Sequence, residues 1–135
     1  MRRIAVLGAT GSIGESTLDV IARHPDRYRA VVLSANKSVE DMAALCRNFR
    51  PQHAVMSDEA AADALEAALL DVPEVTVSAG AAELDQLVAA TDIDTVVAGI
   101  VGFAGLRPTL NAARSGKTIL LANKEALVSA GGLFM

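Results

Sequence analysis

Three glycines at three-residue spacing, Gly8, Gly11 and Gly14 in "GATGSIG", stand between the apolar run "IAVL" and a stretch of helical periodicity that begins at Ser12. No other feature limits the fold as strongly. A buried strand that turns through bare backbone into a helix sets the helix N-terminus at the carboxyl edge of a sheet. That terminus carries unpaired N–H groups and a partial positive charge, so a phosphate is its natural ligand. Gly8 is expected to permit the tight turn out of the strand. Gly11 is expected to let the backbone approach a pyrophosphate, and Gly14 to let the helix pack closely on the sheet. Thr10 and Ser12 add hydroxyl donors beside the N–H groups. The spacing is G-x-x-G-x-x-G, not the commoner G-x-G-x-x-G, and by itself it is equally a structural turn. Its weight comes from the strand before it, the helix after it and the alternating chain behind it.

That alternation runs on. Apolar strands are expected near residues 3–8, 29–35, 53–57, 75–79, 94–102 and 117–122. Helices are expected over 12–24, where Pro25 stops the first, then 38–49 with Ser38 as N-cap, 58–70, 81–90 and 106–114, the last closed by Gly116. Strands without a polar face are covered on both sides. The reading is α/β: a Rossmann-like, doubly wound, mostly parallel sheet with helices on both faces. Residues 1–122 form the nucleotide-binding domain. Residues 123–135, "NKEALVSAGGLFM", are read as the start of something helical that stops in an apolar tail with no cap, as at a cut; the resemblance drawn below makes this the start of the connection into a catalytic domain.

Composition narrows the partners. Aromatic residues make up 3% of the chain and the net charge is −4, which argues against a base-stacking surface and a nucleic-acid footprint. The single cysteine, Cys46, can neither form an internal disulfide nor complete a zinc site, and it shares helical spacing with Met42, Leu45 and Phe49, so it is read as core. Arg2-Arg3 before "IAVLGA" imitates a signal peptide, but the apolar run breaks at Gly8 and Gly11. No stretch reaches membrane-spanning length, and a cytoplasmic protein is expected. His24 and His53 have no acids at ligand spacing, so no metal site is expected within the chain.

The second strand indicates which dinucleotide. Sheets that bind NAD usually end this strand in an acid that holds the ribose 2′-hydroxyl. Here it ends "LSANKS", with no acid from Leu33 to Val39. Lys37, flanked by Asn36 and Ser38, suits the 2′-phosphate of NADP, so NADPH is the expected cofactor; an ordinary solvated loop lysine is the competing reading. At the far end, Asn123, Lys124 and Glu125 follow the last strand on the same edge as the glycine loop. From spacing alone a Lys–Glu pair there is as readily a solvated face.

Four stretches, "GATGSIGESTLDVI", "AVVLSANKSV", "AGIVGFAGLRPTLNAARSGKTILLANKEALV" and "GGLFM", together resemble the 1-deoxy-D-xylulose 5-phosphate reductoisomerases. The resemblance covers the whole chain and about the first third of such an enzyme. It implies an NADPH-dependent oxidoreductase of the non-mevalonate isoprenoid pathway. The family rearranges 1-deoxy-D-xylulose 5-phosphate and reduces the product to 2-C-methyl-D-erythritol 4-phosphate. Mg²⁺ or Mn²⁺ acts as Lewis acid, the substrate is a phosphorylated sugar, and the enzyme is a homodimer. By position, the resemblance gives Thr10, Gly11, Ser12 and Ile13 to the pyrophosphate and its surroundings. It gives Asn36, Lys37 and Ser38 to the 2′-phosphate, Asn123 and Glu125 to the nicotinamide end, and Lys124 to the substrate. Many members read Gly-Lys-Asn at 36–38; Asn36 tolerates positive φ better than most residues, so the turn is expected to survive. The metal-binding Asp-Ser-Glu segment, a lid and a helical domain are expected beyond Met135. No catalytic residue is then expected in this chain, which alone should bind cofactor weakly and turn nothing over.

Three other readings compete. An extended short-chain dehydrogenase or epimerase needs Tyr-x-x-x-Lys, but Tyr28, the one tyrosine, is followed by "RAVV". A semialdehyde dehydrogenase needs a nucleophilic cysteine later than Cys46. A non-catalytic NADP-sensing domain would share the sheet, but it has no need of the Lys124–Glu125 pair.

Overall fold

A computed structural model describes residues 2–88, 93–98, 118–122 and 127–129. In chain order the elements are β1 (Arg2–Leu7), α1 (Ser12–Arg23), β2 (Tyr28–Ala35), α2 (Val39–Phe49), β3 (His53–Met56), α3 (Glu59–Ala68), β4 (Thr76–Ala79), α4 (Ala81–Val88), β5 (Thr95–Ala98), β6 (Thr118–Ala122) and β7 (Leu127–Ser129). They build one seven-stranded sheet in the order β4-β3-β2-β1-β5-β6-β7. Its first six strands are mutually parallel, and β7 runs antiparallel to β6. The mostly parallel, doubly wound sheet read from the sequence is the fold observed.

Crossover handedness explains where the helices lie. The chain steps from β1 to β4 in one direction, and right-handed connections then place α1, α2 and α3 on one face. There Leu18, Ile21, Met42, Cys46 and Leu65 pack against Val6, Leu33 and Met56. The return from β4 to β5 crosses the other face, where Leu84 of α4 meets Leu7, Val31, Val32 and Val55. Each helix turns a narrow apolar stripe inward. In α1, Gly14, Leu18 and Ile21 are buried, spaced for one helix face. Asp58 caps α3, its carboxylate accepting from the Ala61 N–H at 3.0 Å.

β2 contains an irregularity that the periodicity does not show. Ile4 pairs with Ala30, but Ala5 pairs with Val32, so Val31 is an extra residue. Val31 and Val32 consequently both face α4. The bulge re-phases the strand so that Ser34 lies opposite Leu7, at the end of β1.

Two expectations change. Residues 127–129, read as helical, are a strand: the open edge of β6 offers backbone partners, and Leu120–Ser129, Leu121–Val128 and Ala122–Leu127 pair across it. A short apolar segment has no periodicity of its own, so the sheet edge decides. Asn36 was expected to tolerate a left-handed turn. Among the described residues, however, the one non-glycine with positive φ is Arg50, at φ 46 at the end of α2. The expected helix over 106–114 lies outside the described residues.

Candidate functional site

β1 is the pivot of the sheet, with β2 on one side and β5 on the other. The strand order reverses at β1, and such a switch point, at the carboxyl ends of the strands, is where an open α/β sheet binds its ligand. The glycine loop leaves β1 at this point.

Each glycine of that loop has a different reason to be there. Gly8 adopts φ 81, which side chains rarely accept. At Gly14 a Cβ would fall 2.3 Å from the Gly8 carbonyl oxygen and 2.6 Å from both Cα and carbonyl oxygen of Ala9, so no side chain fits. Gly11 differs from both. Its φ is −83, and a Cβ there would meet only the Gly8 oxygen, at an ordinary 3.5 Å. The fold itself does not require a glycine at that position, which is exposed. Gly11 is also the N-cap of α1, and no side chain caps the helix. Ser12, Ile13 and Gly14 form the first turn behind it, and Thr10, partly buried, precedes it. Uncapped N–H groups behind a bare, open backbone fit the pyrophosphate of a dinucleotide.

The loop is anchored from β2 by a residue that the sequence reading passed over. The Ser34 carbonyl accepts from the Gly8 N–H at 3.1 Å and the Ala9 N–H at 2.7 Å. Its hydroxyl oxygen accepts from Gly8 as well, at 3.2 Å. Ser34 is only 3% exposed. A serine inside the apolar run "AVVLSA" was the available signal, since a buried hydroxyl needs a partner.

Asn36, Lys37 and Ser38 form the exposed connection from β2 to α2, beside the glycine loop because β1 and β2 are adjacent and parallel. The Lys37 carbonyl accepts from Val39 N–H at 2.9 Å, and that of Ser38 from Met42 N–H at 3.0 Å. Ser38 is the N-cap of α2, as expected, but its hydroxyl makes no capping hydrogen bond. The Ser38 hydroxyl is therefore not taken up in capping α2. Asn36 is tied to Ser57, just past β3, through its side-chain oxygen and its backbone carbonyl.

Asn123, Lys124 and Glu125 lie outside the described residues. β6, which ends at Ala122 just before them, is parallel to β5, so its carboxyl end lies on the same sheet edge as the glycine loop. His53 opens β3, and His24 follows α1 with its ring edge-on to Tyr28, centroids 6.2 Å apart. Among the described residues no three or more His, Cys, Asp or Glu side chains gather in a way that could hold a metal. Cys46 is fully buried, and burial raises its thiol from the ordinary 9.0 to about 11. A cavity of about 510 Å³ opens between α3 and β4, but Glu59, Asp63 and Glu66 line it. Three carboxylates disfavour a phosphate. No helix among the described residues is long and apolar enough to cross a membrane.

Comparison with known proteins agrees with this geometry. The family model for 1-deoxy-D-xylulose 5-phosphate reductoisomerase matches residues 4–131. The reductoisomerase of Ralstonia pickettii is 54% identical over 136 residues, all of this chain and 34% of that protein. That of Cupriavidus taiwanensis is 57% identical over 136 residues, again all of this chain and 35% of that protein. A solved reductoisomerase from Zymomonas mobilis in complex with NADPH superposes with TM-score 0.84 and 45% identity, covering 92% of this chain and 32% of that one. The chain thus spans about a third of the length of the curated relatives it matches. Since the family pattern runs through the sheet and both loops at its carboxyl edge, the chain belongs to the 1-deoxy-D-xylulose 5-phosphate reductoisomerase family.

Proposed function

We propose that this chain is the NADPH-binding part of an enzyme that rearranges and reduces 1-deoxy-D-xylulose 5-phosphate to 2-C-methyl-D-erythritol 4-phosphate. The observation that carries the reading is the division of labour in the glycine loop. Gly8 and Gly14 are glycine because the backbone demands it, whereas Gly11 leaves an approach surface that the fold does not need. Relatives support the ligand: one solved reductoisomerase holds NADPH, and another holds NADPH, fosmidomycin and magnesium.

In this reading the first turn of α1, with Thr10, Gly11, Ser12 and Ile13, binds the pyrophosphate through backbone N–H groups and hydroxyls. Lys37 neutralises the 2′-phosphate, with Asn36 and Ser38 as hydrogen-bonding neighbours. Asn123 and Glu125 orient the nicotinamide end, and Lys124 reaches the phosphorylated sugar. NADPH, when bound, supplies the hydride, and the protein orients the reactants. Among the described residues no group of His, Cys, Asp and Glu could hold a metal; in this reading the divalent cation is held by the Asp-Ser-Glu segment that the family resemblance implies. Residues 1–122 serve as the cofactor domain, and residues from 123 onward lead into the catalytic part. The cytoplasmic setting and the homodimer implied by the family belong to the same proposal.

Parallel titration of the full-length protein with NADPH and NADH tests it. NADPH should bind at least about tenfold more tightly, since a charge-assisted contact contributes ~1.5–3 kcal/mol. Equal affinities would refute the assignment of Lys37 and its neighbours to a 2′-phosphate.

A further inference from the structure

Ser57 is fastened to the 36–38 connection at three points. Its N–H donates to the Ala35 carbonyl at 3.1 Å. Its hydroxyl donates to the Asn36 carbonyl at 3.3 Å and also contacts the Asn36 side-chain oxygen Oδ1. A carboxamide has an acceptor end and a donor end, and which end faces a ligand depends on what holds the other. With Oδ1 turned to Ser57, the two N–H donors of Asn36 Nδ2 are the end left for a ligand. They then stand beside Lys37 and beside a Ser38 hydroxyl that α2 does not use for capping. Every side chain so presented can donate a hydrogen bond, and no acid lies between Leu33 and Val39.

We propose that Ser57 is a positioning residue for cofactor choice: it fixes the Asn36 carboxamide with its donors outward and thereby favours a phosphorylated over a free ribose 2′-position. This rests on the NADPH reading given above. A carboxamide turned the other way would set an oxygen against the phosphate oxygens. A free 2′-hydroxyl, which both donates and accepts, is indifferent to the turn.

The test compares NADPH and NADH dissociation constants in the full-length wild type, Ser57→Ala, Ser57→Thr, Asn36→Ala and the Ser57→Ala/Asn36→Ala double variant. Ser57→Ala should weaken NADPH about three- to tenfold, the range expected for one hydrogen bond, and leave NADH within about twofold. Ser57→Thr, which keeps the hydroxyl, should restore the wild-type ratio. The double variant should be no weaker than Asn36→Ala, because the two residues act as one unit. Equal weakening of both cofactors would mean a merely structural role and overturn the proposal. So would unchanged NADPH affinity, tighter NADPH binding in Ser57→Ala, or additive losses in the double variant. A wild type without NADPH preference would instead overturn the underlying reading, which separates the two failures.

Discussion

A methyl group added at Gly14 and one added at Gly11 should have opposite consequences, and the difference can be worked out from the coordinates. In Gly14→Ala the new Cβ would lie 2.3 Å from the Gly8 oxygen and 2.6 Å from two atoms of Ala9. An ordinary contact needs about 3.5 Å, so one side must retreat by about 1 Å. The loop cannot, because the Gly8 and Ala9 N–H groups are held by Ser34. Helix α1 must therefore lift, disturbing Leu18 and Ile21. Overpacking of this kind costs ~1–3 kcal/mol or more, and the higher helix propensity of alanine offsets only ~1 kcal/mol. For a domain of this size a net loss of ~2 kcal/mol lowers Tm by roughly 5–10 °C. In Gly11→Ala the backbone is already in an ordinary region and the Cβ meets one oxygen at 3.5 Å. The reduced unfolded-state entropy and the poorer N-cap roughly cancel, to within ~1 kcal/mol. The methyl group does stand on the approach surface for the pyrophosphate, so NADPH affinity should fall at least about tenfold, or ~1.4 kcal/mol. Thermal melts and NADPH fluorescence titrations of both variants check the pair. If Gly11→Ala melted as low as Gly14→Ala, or bound NADPH as the wild type does, the separate roles assigned to the two glycines would be wrong.

Three further outcomes are expected. Lys37→Ala should cost about tenfold or more in NADPH affinity and leave NADH binding unchanged, by the same titration. Lys124→Ala in the full-length protein should abolish turnover while NADPH still binds; unaltered turnover would remove its substrate role and favour a sensing domain. Burial raises the Cys46 thiol from 9.0 to about 11, so the fold favours the neutral form. Its contribution is complete below pH 9 and is lost as pH rises towards about 11. Denaturant titrations across that window should show wild type losing more stability than Cys46→Val, and parallel curves would contradict the burial.

Much of this fold is legible along the chain. Ile4–Leu7 and Val31–Leu33 are covered on both faces, so their strands read as unbroken apolar runs, and Pro25 and Ser38 mark helix boundaries. The glycine loop was legible because its spacing sits between a strand and a helix. What stayed hidden depends on contacts across the chain. Nothing local distinguishes Val31 from Val32, yet their neighbours in β1 make one of them the extra residue. Ser57 and Asn36 are 21 residues apart, and only the adjacency of β2 and β3 brings them together. β7 exists because β6 has an open edge, a property of the sheet and not of "LVS". Arg50, not Asn36, takes the left-handed turn because it closes α2, with its N–H on the Cys46 carbonyl.

The central place of β1 also orders events at the ribosome. Ile4 must wait for Thr95 before its second edge is paired, although Ala30 satisfies the first edge early. Until then the nascent chain holds a half-sheet, β1 to β4, roofed by α1 to α3 on one side only. Leu7, Val31, Val32 and Val55 lie bare on the other side, and the backbone of β1 is an open template for a neighbouring chain. Pairings of such long sequence separation close slowly. The strand that carries the glycine loop is thus synthesised well before β5 completes it, and in that interval its open edge and bare apolar face favour aggregation and call for a chaperone.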